Sequence, residues 1–261
     1  MRNSPPIVLT IAGFDPSSGA GITADIKTIA AHGCYGVSAI TALTVQSTAG
    51  VRRVAGVDPE LLRDSLAELA GDVKVSAVHV GMIGTGKVAA IVADFLQTSQ
   101  LSNVVVDPIL TSSSGAALLD SEGIDVLVKR LLPMADVVTP NMDEAATLAG
   151  MAVKNADQMK RAAVRLHEFQ AKAVVVTGGN LECAVDVLSF PGKDAKTFRA
   201  AHLDSPNTHG TGCAFSTAIA CQLAIGRGLE VAVLLSKAYV LEAIRNGYSI
   251  GKGAGPVNHM F

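Results

Sequence analysis

The stretch Ser205-Pro-Asn-Thr-His-Gly-Thr-Gly-Cys-Ala-Phe-Ser216 carries the densest chemical signal in the chain. Gly210 and Gly212 let the backbone come close to a ligand, and Thr211 to Ile225 reads as a helix. Unpaired N–H groups and the positive end of the helix dipole therefore meet at Thr211, an arrangement that binds anions. A phosphoryl group in flight needs such a place, because its transfer rests on positioning and charge neutralisation. On spacing alone the same residues also suit a glycine turn that only introduces a helix. Cys213 falls in the first turn of that helix. A free cysteine is commonly an inert small core residue. A helix N-terminus lowers thiol pKa, so here a thiolate able to accept a proton is the expectation.

Further polar groups follow short aliphatic runs. Thr139-Pro-Asn-Met-Asp-Glu144 opens a helix that ends near Gly150. Asn141 and Glu144, three apart, reach one side of the turn, where a carboxylate can hold a water on magnesium, an ion that prefers oxygen and keeps several waters. A helix start rich in capping residues reads the same way. Asp107-Pro108 ends the run Val104 to Val106, where a carboxylate is costly unless paired, solvated or used; an Asp-Pro turn is the plainer reading. Ser17-Ser-Gly-Ala-Gly21 is a glycine loop ahead of an amphipathic helix with Asp25 and Lys27. It has neither GxGxxG nor GxxxxGKS spacing, so neither a Rossmann dinucleotide site nor a Walker loop is supported. Gln46, Met82 and His209 say little singly: a strand-end amide, core filler and a loop residue account for them.

The elements that must position these groups alternate. Aliphatic runs at Ile7 to Ile11, Val37 to Leu43, Val78 to Val80, Val104 to Val106, Val137 to Val138 and Val174 to Val176 are separated by helical patterns, a βαβ rhythm. One helix starts at Asp58 with Pro59 in its first position and Gly71 placed to close it. Between Asp157 and Phe169, the residues Met159, Ala163, Leu166 and Phe169 share a face. Cys183 to Phe190 and Thr197 to Ala201 read as an antiparallel addition at the sheet edge, and Thr211 to Gly251 as nearly all helix. Four strands end in polar or turn-forming groups, at Gly13 to Pro16, Asp107-Pro108, Thr139 to Asn141 and Thr177 to Gly179. Ligands of open parallel sheets bind outside the carboxyl ends of the strands, so these ends are expected to line one crevice.

Composition narrows the class. Hydrophobic residues make up 49% of the 261 residues and aromatics 4%, with no Trp, so the core is built from small aliphatic side chains. That suits helices on a doubly buried parallel sheet. The 21 basic and 23 acidic residues nearly cancel, with no basic run to track a phosphate backbone, which argues against nucleic acid. Cys34, Cys183, Cys213 and Cys221 form no CxxC pair and no dense disulfide pattern, as in a reducing cytoplasm. Behind Arg2, Ile7 to Ala12 is too short for a signal-peptide core. Thr211 to Gly226 falls short of the roughly 20 apolar residues that span a bilayer. A soluble cytosolic protein, with residues 1–261 as one domain free of linkers, is the expectation.

These segments together resemble the hydroxymethylpyrimidine and phosphomethylpyrimidine kinases of thiamin biosynthesis, a branch of the ribokinase superfamily close to pyridoxal kinases. The matching pieces are TIAGFDPSSGAGITADIKT at 10–28, YGVSAITALTVQST at 35–48, VGMIG at 80–84, VVVDPIL at 104–110, TPNMDEA at 139–145, VVVTGG at 174–179, HGTGC at 209–213 and GAGPVNH at 253–259. The resemblance implies a three-layer αβα ribokinase-like fold with a mostly parallel central sheet, ATP as donor with Mg²⁺, a small pyrimidine as substrate, and a homodimer. It further implies that Gln46 reads the pyrimidine and that Gly13, Asp25 and Met82 lie around it. Asp107, Asn141, Glu144 and Thr177 would face the nucleotide phosphates and metal, with Glu144 and Asp107 towards the metal. Gly210, Thr211 and Gly212 would form the anion hole, and Cys213 would stand where sugar kinases of this superfamily carry an aspartate base.

Two departures remove positive charge. Many relatives have a Lys before a Ser-Gly pair where this chain has Thr111-Ser-Ser-Ser-Gly115, and some carry Lys at the position of Thr177. A pyridoxal or pyridoxine kinase is the close alternative, with Val45-Gln46-Ser47-Thr48 favouring the pyrimidine. A non-catalytic sensor of a pyrimidine or nucleotide would have no need of Asp107, Glu144 and an intact anion hole together.

Overall fold

The structure is a computed structural model that describes residues 4–112, 114–179, 181 and 183–261. Arg2 and Ser113, named above, lie outside the described residues. In chain order the elements are β1 (Ile7–Phe14), α1 (Gly21–Ala31), β2 (Tyr35–Ser47), β3 (Gly50–Gly56), α2 (Pro59–Asp72), β4 (Val75–Val80), α3 (Gly86–Ser99), β5 (Val104–Val106) and α4 (Ser121–Val126). A π-helical turn (Leu127–Leu131) joins α4 to α5 (Leu132–Met134), followed by β6 (Val137–Val138), α6 (Met142–Ala149), α7 (Ala156–Leu166) and a 3₁₀ turn (His167–Phe169). The chain ends with β7 (Val174–Gly178), β8 (Cys183–Ser189), β9 (Lys196–Ala201), α8 (Thr211–Ala224) and α9 (Leu229–Arg245).

One nine-stranded sheet runs β3-β2-β1-β4-β5-β6-β7-β8-β9. The six strands from β2 to β7 pair in parallel, while β3, β8 and β9 are antiparallel additions. The aliphatic runs explain this. Successive residues of a strand point to opposite faces, and here both faces are apolar. Leu9, Ile11, Val78, Val80, Val104, Val106, Val174 and Val176 enter one core with Leu62, Leu66, Val88, Val92, Met159 and Leu166. Val8, Ala77, Val105, Val137 and Val175 enter the other with Ile29, Phe215, Ile219 and Val233. Helices α2, α3, α6 and α7 supply the first layer, and α1, α8 and α9 the second, which gives the αβα sandwich expected from the sequence.

Three boundaries differ from the sequence reading. The second strand runs past Leu43 to Ser47 and turns back as β3, which had no counterpart in the aliphatic pattern. That hairpin carries Thr44, Gln46, Arg52 and Arg53 and lacks an apolar run, because it projects beyond the helical layers. Gly71 does not close α2, which continues to Asp72 and leaves its axis at the extended Val73. Thr211 to Gly251 is two helices broken between Ala224 and Leu229, and it is irregular after Arg245. Among the described residues no helix is long and apolar enough to cross a membrane.

Candidate active site

The chain runs from β1 outward to β2 and then back across to β4 on the other side of β1, so the carboxyl ends of β1 and β4 flank a switch point. A cleft with a cavity volume of about 250 Å³ opens there. Gly13, Asp25, Gln46 and Met82 line one part of it; Asp107, Asn141, Glu144 and Thr177 line another; and Gly210, Thr211, Gly212 and Cys213 lie between. All twelve residues singled out in the sequence thus come together, from seven separate segments. Among its described lining residues there is no Lys or Arg, whereas Asp15, Asp25, Asp107 and Glu144 all reach it.

The start of α8 is built by close backbone contact. Gly210 adopts φ +88°, and a β-carbon there would lie 1.8 Å from the Gly19 carbonyl oxygen. Only glycine permits both that φ and that approach. No side chain caps α8, in contrast to α2, α3, α6 and α7, whose caps are Asp58, Thr85, Asn141 and Asn155. Thr211 N donates to the Thr208 carbonyl at 3.3 Å, while the N–H groups of Gly212 and Cys213 have no acceptor outside the helix among the described residues and remain available to an anion. The partner loop is held by Asp15, which accepts from Ser17 N (2.8 Å), Ser17 Oγ (2.7 Å) and Ala20 N (3.0 Å), and whose Oδ2 lies 2.8 Å from His209 Nε2. Burial would raise the Asp15 carboxyl, but the hydrogen bonds from His209, Ser17 and Ala20 outweigh it and hold the group below its ordinary value. His209, which the sequence left as a loop residue, thereby ties the two loops together.

Cys213 corrects an expectation. Its thiol is pushed well above the ordinary cysteine value, first by burial and then by the Asp25 and Asp107 carboxylates, against a weaker opposing hydrogen bond from the Gly21 backbone. The helix end that would favour a thiolate is outweighed by the negative charges beneath it. The resting group is the thiol.

Asp25 lines the cleft from below. Its carboxylate is fully buried and its oxygens are engaged, Oδ2 by Thr10 Oγ1 (2.6 Å) and Oδ1 by Thr217 Oγ1 (2.8 Å), with His79 Nδ1 3.3 Å from Oδ2. It belongs to the floor of the cleft, where β1, α1, β4 and α8 meet. Gln46, near the end of β2, lies beside His209, with its Oε1 accepting from Thr44 Oγ1 at 3.1 Å. Met82 stands over Gly13, since a β-carbon on Gly13 would meet its sulfur at 2.9 Å.

At the opposite part of the cleft, Asn141 and Glu144 form a capping box. Asn141 Oδ1 accepts from Asp143 N and Glu144 N at 2.9 Å each, and Glu144 Oε2 accepts from Asn141 N at 2.8 Å. Capping and cleft lining are thus combined in one pair, because only one Glu144 oxygen is used in the cap. Burial and the neighbouring Asp107 push Glu144 up to about 8. Asp107, raised by burial against the opposing pull of His79 and Ser216, titrates at about 6. The buried Thr139 hydroxyl lies beside them and helps to lower Asp107. Two mutually repelling carboxylates with a hydroxyl beside them form a donor set suited to a hard, oxygen-seeking cation.

Sequence reasoning missed His79 and Ser216. His79 Nε2 lies 2.9 Å from Ser216 Oγ, which donates to Asp107 Oδ2 at 3.1 Å. The available signal was a histidine inside the aliphatic strand Val75–Val80 and a serine three residues after Cys213.

The chain matches the family model described as phosphomethylpyrimidine kinase over residues 15–258. It is 41% identical over 257 residues to a hydroxymethylpyrimidine/phosphomethylpyrimidine kinase of Streptomyces coelicolor, with 98% of this chain and 95% of that protein covered. It is 42% identical over 255 residues to a thiamine biosynthesis bifunctional protein of Geobacter sulfurreducens, covering 97% of this chain and 52% of that protein, so it spans about half of that longer relative. The crystal structure of an ADP complex of Bacillus subtilis pyridoxal kinase superposes with a TM-score of 0.90 at 35% identity, covering 98% of each chain. The fold and its cleft are those of a ribokinase-like small-molecule kinase. Within that class, the chain belongs to the phosphomethylpyrimidine kinase family.

Proposed function

We propose that this chain, as one kinase domain, transfers the γ-phosphoryl group of ATP to the hydroxymethyl oxygen of 4-amino-5-hydroxymethyl-2-methylpyrimidine and then to its monophosphate. The observation that carries this reading is the convergence on one cleft of an amide-bearing pocket, an uncapped helix start and a carboxylate pair. Gln46, with Thr44 on its carbonyl oxygen, offers its amide N–H groups to a ring nitrogen. Gly13 and Met82 bound the ring. The first-turn N–H groups of α8, at Gly210 to Cys213, hold the oxygens of the group in transfer, which is where positioning and charge stabilisation act.

Asp107 and Glu144 hold Mg²⁺ in this reading, with Asn141 and Thr177 towards the nucleotide; Mg²⁺ would neutralise phosphate charge that no Lys or Arg meets among the described lining residues. Cys213 is the proton acceptor placed nearest the helix start. Since its resting form is the thiol, proton removal accompanies or follows attack, as a loose transfer permits. A homodimer in the cytoplasm belongs to the same reading, and the exposed Tyr35, Leu43 and Val45 on β2 are its candidate apolar face. A coupled assay of ADP release tests the activity. The hydroxymethylpyrimidine is expected to stimulate release in the presence of Mg²⁺, and no stimulation by it or its monophosphate would reject the reading.

Pyridoxal phosphorylation is a second reading, favoured by the 0.90 TM-score to the Bacillus subtilis pyridoxal kinase complex. Both substrates are hydroxymethyl heteroaromatics.

A further inference from the structure

Under the cleft, four side chains from four elements form one buried line: Asp25 on α1, His79 on β4, Ser216 on α8 and Asp107 after β5. We propose that His79 is a positioning residue for the transfer, a ring that donates from both nitrogens, towards Asp25 on one side and to Ser216 on the other, and so turns the Ser216 hydroxyl towards Asp107 and fixes that carboxylate against the start of α8. The proposal rests on the kinase reading for the role of Asp107, but its own core is hydrogen-bond geometry.

Consider which atoms can donate. Thr10 Oγ1 spends its proton on Asp25 Oδ2 at 2.6 Å, so towards His79 Nδ1, 3.2 Å away, it can only accept. Asp25 Oδ2, at 3.3 Å from the same nitrogen, is also an acceptor. Nδ1 must therefore carry a hydrogen. On the other side, Ser216 Oγ faces the acceptors Asp107 Oδ2 (3.1 Å), Gly212 O (3.1 Å) and Cys213 O (3.2 Å). Its single proton goes to one of these only if its oxygen accepts from Nε2, 2.9 Å away. A neutral ring would instead take the serine proton, leaving a lone pair of Ser216 against Asp107 Oδ2.

Charge points the same way. Thr10 from β1, Asp25 from α1 and Ser216 from α8 face the ring, with Asp107, after β5, behind Ser216. Burial alone would lower His79, and Asp25 and Asp107 overcome it and raise the imidazole above its ordinary value. The same line crosses from the floor that carries Asp25 to the α8 turn that carries Gly212 and Cys213, so the orientation of Asp107 and the placement of that turn are set together.

Two measurements test this. In ¹⁵N-histidine-labelled protein, with the His79 signal assigned by its loss in His79→Gln or, should that variant not fold, in His79→Lys, both ring nitrogens are expected to be protonated at pH 7. An unprotonated Nε2 would overturn the proposal. This readout needs no substrate, so it decides the state of His79 even if the wild type phosphorylates neither vitamin precursor, a result that would reject the kinase reading instead. In kinetics, His79→Gln is expected to lower kcat roughly 10- to 100-fold, the range seen when support of a functional carboxylate is removed. KM for the hydroxymethyl substrate should stay within about two-fold, because the ring is fully buried and spends both nitrogens on protein groups. His79→Lys should restore most of kcat, since an ammonium supplies both the charge and a donor to each neighbour. Ser216→Ala should lose kcat similarly without disturbing the protonated state of His79. Full kcat in His79→Gln, or equal losses in the Gln and Lys variants with both folded, would contradict the role of the charge.

Discussion

The α-carbon of Gly210 rests against the carbonyl oxygen of Gly19, so that the glycine loop ahead of α1 and the turn ahead of α8 touch backbone to backbone. Any side chain at 210 must part the two loops, and φ +88° adds strain for an L-residue. Gly210→Ala is therefore expected to lower stability by about 1–3 kcal/mol and to lower kcat by at least about 100-fold, the scale of losing an oxyanion donor. Thermal unfolding and steady-state ADP release measure the two effects. A variant with wild-type kcat would show that the turn is not the anion site.

Gln46 lines the cleft, with Thr44 Oγ1 3.1 Å from its Oε1 and His209 Nε2 3.4 Å from its Nε2. Gln46→Leu should weaken pyrimidine binding by about 1–3 kcal/mol through unpaired ring nitrogens. Calorimetric titration should find ATP binding unchanged. Equal pyrimidine affinity would place recognition elsewhere.

The carboxyl of Glu144 is raised to about 8 in the fold from an ordinary 4.5. Between these values the native state holds the proton more tightly than the unfolded chain, so ionisation destabilises the fold. Without metal, the melting temperature is expected to fall as pH rises from about 4.5 to about 8, and Glu144→Gln should flatten that slope. Mg²⁺ should restore more stability at pH 8 than at pH 5. A metal-free melting curve that does not change with pH in this window, or one that is the same in the variant, would remove Glu144 from this balance.

Cys213→Ala should lower kcat by about 10² to 10⁴ if the sulfur takes the substrate proton. Because burial and the Asp25 and Asp107 charges keep the resting thiol protonated, alkylation of Cys213 at pH 7 should be slow and should accelerate as pH rises past 9. Peptide mass spectrometry separates it from the exposed Cys183. Rapid alkylation at pH 6 would restore the thiolate that the helix end alone suggests.

The sheet was legible because Val78, Val104, Val106, Val138, Val174 and Val176 are buried on one face and Val105, Val137 and Val175 on the other, and such strands write themselves as unbroken aliphatic runs. Asp107, Asn141 and Thr177 were legible because each interrupts or ends such a run. The β2–β3 hairpin was not, since only a small cluster of Ala42, Met82 and Leu118 lies under Val51 and Val54, and polar Gln46, Arg52 and Arg53 interrupt the apolar pattern. The state of Cys213 was illegible for another reason: the helix start is local in sequence, but the charges that override it come from Asp25 and Asp107, 188 and 106 residues away along the chain. His79 is the intermediate case, conspicuous in its strand yet explained only when Ser216, 137 residues later, is brought beside it.

A competition experiment tests the central claim most directly. Equal concentrations of 4-amino-5-hydroxymethyl-2-methylpyrimidine and pyridoxal, with limiting Mg²⁺-ATP, would be incubated with the protein and the phosphorylated products resolved by mass spectrometry. The pyrimidine monophosphate is expected to form first and in excess over pyridoxal phosphate, followed by the pyrimidine diphosphate. Pyridoxal phosphate as the dominant product, or no phosphorylated pyrimidine at all, would contradict the account.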